Sequence, residues 1–428
     1  MRKVLIITYY WPPAGGPGVQ RWLKFVKYLR DFDFEPVVYI PENPTYPMRD
    51  ISFEKEVPNG IEILKQPIFE PYALAGIFSK KQSKTISKGI IAAEENQSFL
   101  QKSMLFIRGN LFIPDARKFW IKPSVKFLKD YLEKTTIDQI ITTGPPHSLH
   151  LIGLKLKKEL KLKWTADFRD PWTQIGYHKK LKLTKKNRQK HKVLELEVLN
   201  TADEIITTSF TTKREFSAKT NKPITVITNG FEEENDVDEK VGLDDRFSIA
   251  HIGSLLSERN PINLWKSIAE ICRESSTFSK DLQLNLAGTV SEEVVASIKA
   301  VGLEDHLNLP GYLSHNQALK MQKESRLLLL IEINSLETRG IIPGKLFEYL
   351  NSRRPILAVG PDKWDVEQIL KETGAGKTFA YNDNKKLKDT ILKQYKAFKA
   401  KEPNFTNGNI AQYSRKNLTA KLVSVLKK

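Results

Sequence analysis

Residues 1–30 read MRKVLIITYYWPPAGGPGVQRWLKFVKYLR and contain an apolar run, a loop rich in glycine and proline, and a segment with helical periodicity. The run Val4–Thr8 is short, aliphatic and β-branched, which is typical of a strand in a buried parallel sheet. In Gln20–Arg30 the apolar residues recur at the spacing of one helix face; they are Trp22, Phe25, Val26 and Leu29. The segment therefore predicts a strand–loop–helix unit, the repeating element of α/β domains.

The same alternation of strand and helix patterns continues along the chain in two series. Further strands of the first series are predicted at Pro36–Ile40, Ile61–Gln66, Gln139–Thr143, Trp164–Phe168, Glu204–Ser209 and Ile224–Thr228. Those of the second series are predicted at Phe247–Gly253, Gln283–Ala287, Leu327–Ile333 and Pro355–Val359. A chain of 428 residues is too long for one hydrophobic core. We therefore predict an α/β protein with two tandem Rossmann-like domains that face an interdomain cleft.

The domain bounds are predicted from an acidic stretch and from the C-terminal pattern. FEEENDVDEKVGLDDR (Phe231–Arg246) is acidic and has no apolar period, as expected of a linker. Gln412–Lys428 is an amphipathic helix pattern with an apolar side made of Leu418, Leu422, Val425 and Leu426. We expect an N-terminal domain at 1–232, a linker at 233–246, a C-terminal domain at 247–408 and a C-terminal helix within 409–428.

Composition excludes several classes of protein. With 40% hydrophobic and 10% aromatic residues, the chain is not mainly disordered. Cys272 is the single cysteine, so no intrachain disulfide forms, which suits a reducing cytoplasm. No segment approaches the run of about 20 apolar residues of a membrane-spanning helix. The first strand also lacks the cleavage site of a signal peptide, and we expect a cytoplasmic protein.

The charge balance is basic, with 68 Lys and Arg against 50 Asp and Glu and a formal net charge of +18. This balance predicts an acidic partner, which is nucleic acid, anionic lipid or a phosphorylated substrate. The densest block is KKLKLTKKNRQKHK (Lys179–Lys192), which is either a contact for such a partner or a solvated helix face. Nucleic acid is not expected, because no nucleic-acid module is recognisable and aromatic residues are not interleaved with the cations.

The first loop, YWPPAGGPGVQR (Tyr10–Arg21), follows a predicted strand and precedes a helix. Its Gly16-x-Gly18-x-x-Arg21 order lacks the third glycine of a dinucleotide fingerprint, which disfavours a nicotinamide cofactor. Glycines such as Gly15 and Gly16 let a ligand approach the backbone closely. We interpret the segment, including Arg21, as a wide ligand-binding loop on the acceptor side.

ITTGPPHSLH (Ile141–His150) ends a predicted strand and begins a helix. His147 is therefore expected near the ligand edge of the sheet. An imidazole there can move a proton or hydrogen-bond a sugar hydroxyl. The alternative is a structural hydrogen bond.

WTADFRDPW (Trp164–Trp172) places Asp167, Arg169 and Asp170 at the end of the next predicted strand. Two carboxylates that flank a guanidinium can form a fixed salt-bridged platform. They can equally contact the hydroxyl groups of a donor or acceptor. The sequence leaves both interpretations open.

HIGSLLSERNP (His251–Pro261) is the counterpart of the first loop in the second series. Gly253 follows the strand and Arg259 offers a cation for a phosphate. Asn260 and Pro261 are suited to the N-cap and first turn of a helix. The segment predicts part of a diphosphate site.

RGIIPGKLFEYLNSRRPILAVG (Arg339–Gly360) is the most informative segment for function. Pro343 suits a first helical turn, and Gly344 lets a ligand reach the amides. Lys345 and Glu348, three residues apart, share a helix face. The cation suits a diphosphate and the carboxylate suits the two hydroxyls of a ribose. The alternative is a surface Lys–Glu pair of little energetic value.

Six segments in this order resemble one enzyme family: YYWPPAGGPGVQR, ADFRDPW, ELEVLNTADEIITTS, TNGF, HIGSL and PGKLFEYLNSRRPILA. The chain resembles bacterial family-4 GT-B glycosyltransferases, particularly those of polysaccharide and O-antigen assembly. The resemblance implies transfer from a nucleotide-diphosphate sugar to a glycan or lipid-linked acceptor, with retention of configuration. It implies no obligatory metal or other cofactor.

The resemblance also implies residue roles. Gly15 and Gly16 would face the acceptor and the donor phosphates, and His147 would contact the transferred sugar. The C-terminal helix would cross back to the N-terminal domain, which binds the acceptor.

In the C-terminal, donor-binding domain, Arg259 and Lys345 would contact the diphosphate and Glu348 the ribose. Two positions depart from the family pattern. Gly340 stands where many members have a first glutamate, and Ser254 where an arginine is usual in the donor site.

The sequence also leaves open two other classes of protein and predicts one docking surface. A sugar-nucleotide epimerase on the same fold is the first alternative, and a non-enzymatic nucleic-acid-binding protein is the second. The insertion Phe78–Trp120 and the block Lys179–Lys192 make the first domain basic with scattered apolar residues. We expect this surface to dock peripherally on anionic lipid at the inner face of the plasma membrane.

Overall fold

The computed structural model describes residues 1–71, 99–174, 176–179, 181–233, 242–402 and 408–428. The chain forms two compact units. The N-terminal unit comprises Met1–Asn229 with Arg415–Lys428, and the C-terminal unit comprises Gly230–Ser414. The division thus falls at 229/230 and 414/415, whereas the sequence places bounds at 232 and 408. Much of the predicted linker 233–246 lies outside the described residues, as do positions 78–98 of the predicted insertion.

The N-terminal unit is built on a seven-stranded sheet. Its strands are β1 (Arg2–Ile7), β2 (Phe34–Pro41), β3 (Glu62–Gln66), β4 (Gln139–Gly144), β5 (Lys163–Phe168), β6 (Glu204–Thr207) and β7 (Ile224–Val226). Their order is β3-β2-β1-β4-β5-β6-β7, and every neighbouring pair is parallel. The helices of its first segment, Met1–Asn229, are α1 (Pro17–Leu29), α2 (Phe99–Leu111), α3 (Ile121–Leu132), α4 (Ser148–Leu160), α5 (Gly176–Lys179), α6 (Lys185–Thr201) and α7 (Phe210–Ser217).

The C-terminal unit is built on a six-stranded sheet. Its strands are β8 (Phe247–Ile252), β9 (Leu282–Ala287), β10 (Leu307–Gly311), β11 (Leu327–Ile331), β12 (Ile356–Val359) and β13 (Gly376–Phe379). Their order is β10-β9-β8-β11-β12-β13, again all parallel. Its helices are α8 (Ile262–Glu274), α9 (Ser276–Asp281), α10 (Glu292–Ala300), α11 (His315–Glu324), α12 (Lys345–Asn351), α13 (Asp365–Thr373) and α14 (Asn384–Lys399).

The prediction of two parallel α/β sheets is confirmed, but two strands are missing from the prediction. Both β10 and β13 are edge strands. In β10 (LNLPG) most side chains are exposed, and its register with β9 shifts between Asn308 and Gly311. In β13 (GKTF) only Phe379 is buried. Edge strands of this kind lack the continuous apolar run that marks a buried parallel strand.

Several helices begin where a side-chain oxygen caps the backbone. Thr184 Oγ1 accepts a hydrogen bond from the amide of Asn187 at the start of α6, and Ser209 caps α7 in the same way. Ser314 and Gln317 form a capping box at α11. The longest described helix, α6, has 17 residues. No helix in the described ranges combines the length and apolar character needed to cross a bilayer.

The final helix, α15 (Arg415–Leu426), belongs to the N-terminal unit. The apolar side predicted from the sequence is buried there, in one cluster with α1 and the strand residues Val4 and Ile6. Leu422 is fully buried, and Gln139 and Lys163 donate hydrogen bonds to the carbonyl of Leu426. Burial of each such leucine or valine contributes about 1.5–3 kcal/mol. The helix is therefore an integral part of the N-terminal core.

In both sheets the strand order reverses at one place, between β1 and β4 and between β8 and β11. Ligands of open parallel sheets bind beyond the carboxyl ends of the strands at such a reversal. The loops after these four strands are therefore the places where functional side chains are expected.

Candidate functional site

In the C-terminal unit, the loops after β8 and β9 approach each other through glycine. Gly253 and Gly288 have φ values of 120° and 108°, a region that other residues rarely adopt. A Cβ atom on Gly288 would lie 2.8 Å from the carbonyl oxygen of Gly253. The amide of Gly253 donates to the carbonyl of Ala287 over 2.8 Å. Gly288 has no room for a side chain against the backbone of Gly253, and the positive φ at both positions disfavours any residue other than glycine.

The amino group of Lys345 lies directly over Gly253. A Cβ on Gly253 would lie 2.5 Å from Lys345 Nζ. Nζ is also 3.4 Å from Nε2 of His251, a fully buried side chain. Since His251 Nδ1 must donate to the carbonyl of Leu329 at 2.9 Å, Nε2 is left to accept from the lysine. Burial, with the charge of Lys345, lowers the pKa of His251 to about 3 and keeps the ring neutral.

Within the described residues, Lys345 is a cation without an ion-pair partner. Its side chain is half-buried, and no carboxylate in those parts of the chain lies within salt-bridge distance of it. Burial lowers the pKa of Lys345 to about 8, and the charge of Arg259 acts in the same direction. The carboxylates of Glu332 and Glu348 act in the opposite direction without forming an ion pair with the lysine. A partly desolvated ammonium without an ion-pair partner favours the binding of an anion.

The predicted phosphate contact Arg259 is held by a carboxylate that is not among the predicted site residues. Its Nε and Nη2 atoms lie 3.1 Å and 3.0 Å from Oε1 of Glu332. Glu332 is 1% exposed and also accepts from the amide of Ile333. Glu332 is the first residue after β11, a position at the strand end that could have indicated it. The pair fixes the guanidinium while leaving 31% of the Arg259 side chain exposed.

Glu348 is oriented by an amide from a neighbouring helix. Gln322 of α11 donates from Nε2 to Oε2 of Glu348 over 3.1 Å. Gln322 is 1% exposed, and its buried Oε1 has no hydrogen-bond partner in the described residues. No sequence pattern indicates this residue, because α11 precedes β11 and Glu348 follows it. The contact holds one carboxylate oxygen and leaves the other for a ligand.

Gly344 and Ser254 are both exposed at this edge, and Gly344 is the N-cap of α12. The helix begins at Lys345, so the expectation that Pro343 occupies its first turn is wrong. The expected N-cap at Asn260 is wrong as well, because Pro261 holds that position in α8. The Asn260 side chain instead bonds Trp265 and Ser297, which ties α8 to α10.

In the N-terminal unit, the first loop packs against Met48. The amide of Gly15 donates to the carbonyl of Met48 over 2.9 Å, and Gly16 is the N-cap of α1. Cβ atoms on Gly15 and Gly16 would lie 3.0 Å and 3.1 Å from side-chain atoms of Met48, which is 51% exposed. These glycines bring the backbone close to an exposed methionine at the reversal point of the sheet.

Arg21 and Asp167 form a buried salt bridge, at 1% and 0% side-chain exposure. Asp167 accepts from Arg21 Nη2 at 2.8 Å, from Trp22 Nε1 at 2.8 Å and from Thr143 Oγ1 at 2.9 Å. Although burial raises the pKa of Asp167, the charge and hydrogen bonds of Arg21 outweigh it and lower the pKa. These contacts favour the interpretation of a fixed platform, with Arg21 rather than Arg169 as the cation.

Arg169 and Asp170 directly follow β5. The Arg169 guanidinium stands 5.4 Å from the ring centre of Tyr10 and donates to the carbonyl of Pro145. A Cβ on Gly18 would meet the end of the Arg169 side chain, which would have to shift. Asp170 is half-buried, and burial raises its pKa. The charge of Arg169 offsets part of this rise, whereas Asp167 is held by the buried ion pair with Arg21.

His147 is 5% exposed and lies in a buried group of rings. It stacks on Trp172 at 4.8 Å with an interplanar angle of 3°, and His150 is 5.8 Å away. Burial, followed by the neighbouring histidines, lowers the pKa of His147 well below its usual range. Neither of its ring nitrogens has a hydrogen-bond partner in the described residues. The ring is a neutral group with unused hydrogen-bonding capacity rather than an exposed base.

If the C-terminal unit binds a nucleoside diphosphate, as the sequence predicts, Gly253→Ala should weaken that binding by about tenfold, since one charge-assisted hydrogen bond is worth about 1.5–3 kcal/mol. The new methyl group would force Lys345 Nζ to move. Gly302→Ala is the matched control, because Gly302 also has a positive φ, 82°, but a Cβ there would have no neighbour within 4 Å. Isothermal titration calorimetry should show weaker binding for Gly253→Ala alone. Equal affinities in the two variants would contradict the placement of Lys345.

Comparisons with known proteins bear on the fold. No protein-family model and no curated protein matches the sequence. Among solved structures, the chain is similar to the apo form of the lipopolysaccharide outer core galactosyltransferase WaaB, with a TM-score of 0.59, 13% identity, and coverage of 100% of this chain and 99% of that chain. It is also similar to a mutant of S. aureus TarM in complex with fondaparinux, α-GlcNAc-glycerol and UDP, with a TM-score of 0.53, 12% identity, and coverage of 100% of both chains.

A third similar structure is a putative UDP-N-acetylglucosamine 2-epimerase from Listeria monocytogenes. Its TM-score is 0.51, with 13% identity and coverage of 99% of this chain and 95% of that chain. Identities this low describe architecture and not substrate. The predicted fold class is confirmed: the two parallel-sheet units have the GT-B fold.

Proposed function

We propose that the protein is a glycosyltransferase that moves a sugar from a nucleotide-diphosphate donor to a glycan or lipid-linked acceptor. The observation that carries the proposal is the ammonium of Lys345 over the backbone of Gly253, with no carboxylate partner among the described residues. The negative charge of a diphosphate would give this half-buried cation the ion-pair partner that it lacks among the described residues. The GT-B fold, which glycosyltransferases such as WaaB have, supports the same reaction class.

The donor contacts follow from the groups at this strand edge. Lys345 and the exposed part of Arg259 bind the diphosphate, and Glu348, held by Gln322, accepts the ribose hydroxyls. Such a site also stabilises the negative charge that develops on the leaving nucleotide, because its cations are fixed before reaction. Gly340, in place of the first family glutamate, leaves Glu332 as the buried carboxylate nearest to Arg259. No metal or other cofactor is part of the proposal.

We propose that the reaction retains the anomeric configuration. The acceptor hydroxyl attacks from the side of the departing diphosphate, and an oxygen of that diphosphate takes its proton. His147, a neutral ring whose nitrogens have no partner among the described residues, contacts the transferred sugar. A product of inverted configuration would contradict this part of the proposal.

The N-terminal unit is proposed to bind the acceptor. Gly15, in the loop after β1, offers a backbone approach, and Arg169 and Asp170, directly after β5, offer a cation and a carboxylate. The cytoplasmic face of the plasma membrane is the proposed location, with the basic block Lys179–Lys192 in contact with anionic lipid. The charge of that block supports this placement.

The proposal is tested by thermal stabilisation with UDP, GDP, ADP, CMP and NAD. A ligand that binds only the folded protein raises the melting temperature in proportion to the logarithm of its concentration over Kd. We expect one nucleoside diphosphate to stabilise the wild type and Glu348→Ala to lose most of that shift. Glu367→Ala, an exposed glutamate on α13, is the control that should retain it. Stabilisation by NAD alone, or by none of the five, would contradict a nucleotide-diphosphate donor.

A sugar-nucleotide epimerase is the second candidate, supported by the similarity to the putative epimerase fold. The two reactions differ in their need for an acceptor. An epimerase converts the nucleotide sugar when no acceptor is present, whereas a transferase leaves it intact apart from slow hydrolysis. NMR of the nucleotide sugar that gives the largest thermal shift separates the two: conversion to its epimer without acceptor would replace the transferase proposal.

A further inference from the structure

The carboxyl end of β8 separates from β11 at the reversal point of the C-terminal sheet. Pairing between these strands ends at Ala250 and Leu328, whereas β8 stays paired with β9 over its full length. His251 lies at this split and is fully buried. We propose that His251 is a positioning residue of the diphosphate site, which holds the ammonium of Lys345 in place through the lone pair of Nε2. This role rests on the proposed function, since the diphosphate is the ligand that Lys345 is proposed to bind.

Two side chains satisfy backbone groups that lie beyond the last pair of β8 and β11. The amide of Ile252 donates to the hydroxyl of Tyr349 over 3.0 Å, and the carbonyl of Leu329 accepts from Nδ1 of His251 over 2.9 Å. Both side chains are fully buried. A buried amide or carbonyl without a partner is costly, so both contacts stabilise the split. Tyr349 lies about one turn after Lys345 in α12, and its hydroxyl therefore also ties this helix to β8.

The two ring nitrogens of His251 have different roles. Since the carbonyl of Leu329 only accepts, Nδ1 carries the proton and Nε2 has a lone pair. Nε2 lies 3.4 Å from Nζ of Lys345. An ammonium has three N–H groups, so one can bind Nε2 while two are left for a ligand. The contact therefore fixes the direction of the lysine side chain without using all of its donors.

His251 is a neutral acceptor and does not cancel the charge of Lys345. Burial, with the charge of Lys345, lowers the pKa of His251 to about 3, so the ring is uncharged near neutral pH. A carboxylate in its place would form an ion pair with the ammonium and compete with a bound diphosphate. A neutral lone pair instead stabilises the charged form of the lysine and leaves that charge available to an anion.

The charged groups that face Lys345 come from three other parts of the C-terminal unit. Arg259, in the loop after β8, repels the ammonium, whereas Glu332 after β11 and Glu348 in α12 attract it. Burial and Arg259 lower the pKa of Lys345 to about 8. Loss of the His251 lone pair should lower this pKa further, because a hydrogen bond to the charged form would be lost. A histidine that served only the backbone would not affect the lysine in this way.

His251→Leu tests the contact without any nucleotide. Competitive labelling with acetic anhydride over a range of pH, followed by mass spectrometry of the peptide that contains Lys345, gives the pKa of this amino group. We expect the value in His251→Leu to be about one unit lower than in the wild type, which corresponds to a tenfold change in the protonation equilibrium. An unchanged pKa of Lys345 would overturn the proposal.

The conservative variant His251→Gln should restore most of the wild-type pKa of Lys345. A glutamine has a carbonyl oxygen that can accept from the ammonium and an amide that can donate to Leu329. Failure of this variant to raise the pKa above that of His251→Leu would also contradict a role for the lone pair.

Tyr349→Phe is the matched control at the same split. It removes the acceptor of the Ile252 amide but leaves the contact between His251 and Lys345. We expect Tyr349→Phe and His251→Leu both to lose stability, since each leaves one buried backbone group without its partner. Only His251→Leu should change the pKa of Lys345. An equal fall in that pKa in both variants would show that loosening of the split is the cause and would overturn the assignment.

The consequence for donor binding is measured by calorimetry with inorganic pyrophosphate and with the nucleoside diphosphate that stabilises the wild type. We expect His251→Leu to bind both ligands about tenfold more weakly near neutral pH, the usual weight of a hydrogen bond to a charged group. Tyr349→Phe should bind them like the wild type. Binding of neither ligand by the wild type would contradict the proposed function. Binding by the wild type with equal affinity in His251→Leu would overturn only the role of His251.

Discussion

Lys345→Met is expected to weaken the binding of nucleoside diphosphate by about 10- to 100-fold, the value of one charge-assisted hydrogen bond of about 1.5–3 kcal/mol. Lys345 is the half-buried cation over Gly253, with no carboxylate partner in the described residues. Methionine keeps the apolar stem and removes the charge. Titration calorimetry with the nucleoside diphosphate that stabilises the wild type measures the change.

The same variant should not lower stability when nucleotide is absent. Removing the ammonium relieves its desolvation and its repulsion by Arg259, but it also removes the attraction of Glu332 and Glu348 and the hydrogen bond to the buried His251. Because these effects oppose each other, the melting temperature of Lys345→Met should stay close to that of the wild type. Lys388→Met is the control: Lys388 pairs with Glu274 at 2.6 Å, and its variant should retain nucleotide binding. Reduced stability of Lys345→Met together with unchanged nucleotide affinity would show that the lysine is structural.

The pH dependence of binding provides a further check on Lys345. Its pKa in the folded protein, about 8, is below the usual value because of burial and Arg259. Above pH 8 the ammonium group loses its proton. Binding of an anion then carries the added cost of reprotonating the lysine. Wild-type affinity should therefore fall as pH rises above this pKa, and the Lys345→Met affinity should lack this component. A wild-type affinity that is constant over this range would contradict the assigned contact.

Asp167→Asn is expected to lower the free energy of unfolding by about 3–5 kcal/mol, the usual cost of leaving one partner of a buried ion pair uncompensated. Arg21 is 1% exposed and has two of its nitrogens on Asp167, so the variant leaves a guanidinium buried beside a neutral amide. Urea unfolding monitored by circular dichroism measures the change. Because two compact units are present, the transition of the N-terminal unit must be followed.

The matched control is Asp203→Asn. Asp203 pairs with Lys157 at 2.7 Å, but the two side chains are 31% and 22% exposed. Solvent screens this pair, and we expect its loss to change the free energy of unfolding by about 1 kcal/mol or less. Equal losses of unfolding free energy in the two variants would show that the buried Arg21–Asp167 pair contributes no more to stability than the exposed pair.

The Asp167 pair also has a defined pH signature. The pKa of Asp167 is lower in the folded protein than in the unfolded chain, chiefly because Arg21 outweighs the effect of burial. Its contribution to stability is therefore complete above the unfolded value of about 3.9, and it is lost as pH falls through the lower folded value. Asp167→Asn should lack this part of the acid dependence.

All interior strands could be predicted from the sequence, as could the edge strands β3 and β7 of the N-terminal sheet, but the edge strands β10 and β13 of the C-terminal sheet could not. β11 (LLLLI) is a continuous apolar run and β1 ends in one (VLII), because these side chains are buried on both faces of a sheet. The edge strands β10 and β13 are short and mostly exposed, so their residues carry no such pattern. Their place is set by hydrogen bonds to β9 and β12, which local sequence does not encode.

In the candidate site, too, some residues could be predicted from the sequence and others could not. Gly253 and Lys345 could be predicted because each lies in a loop or helix start that follows a strand, and the structure brings them together; their role in donor binding stays a prediction. Partners are harder to identify, because they depend on contacts between distant segments. Arg21 and Asp167 are 146 positions apart, and their pairing follows only from the packing of α1 on the sheet. The contact of Gln322 with Glu348 could not be predicted either, since nothing near Gln322 in the sequence resembles a ligand-binding motif.

The return of α15 to the N-terminal unit has a consequence for synthesis on the ribosome. Domains usually complete their folding in the order in which they are translated. Here the core around α1 lacks Leu418 and Leu422 until residues 415–426 have been made, after the whole of Gly230–Ser414. The unit that begins first is thus finished last, and the apolar face of α1 stays uncovered while the C-terminal unit is translated. A nascent chain that ends before α15 would therefore leave the apolar face of α1 accessible to chaperones and proteases.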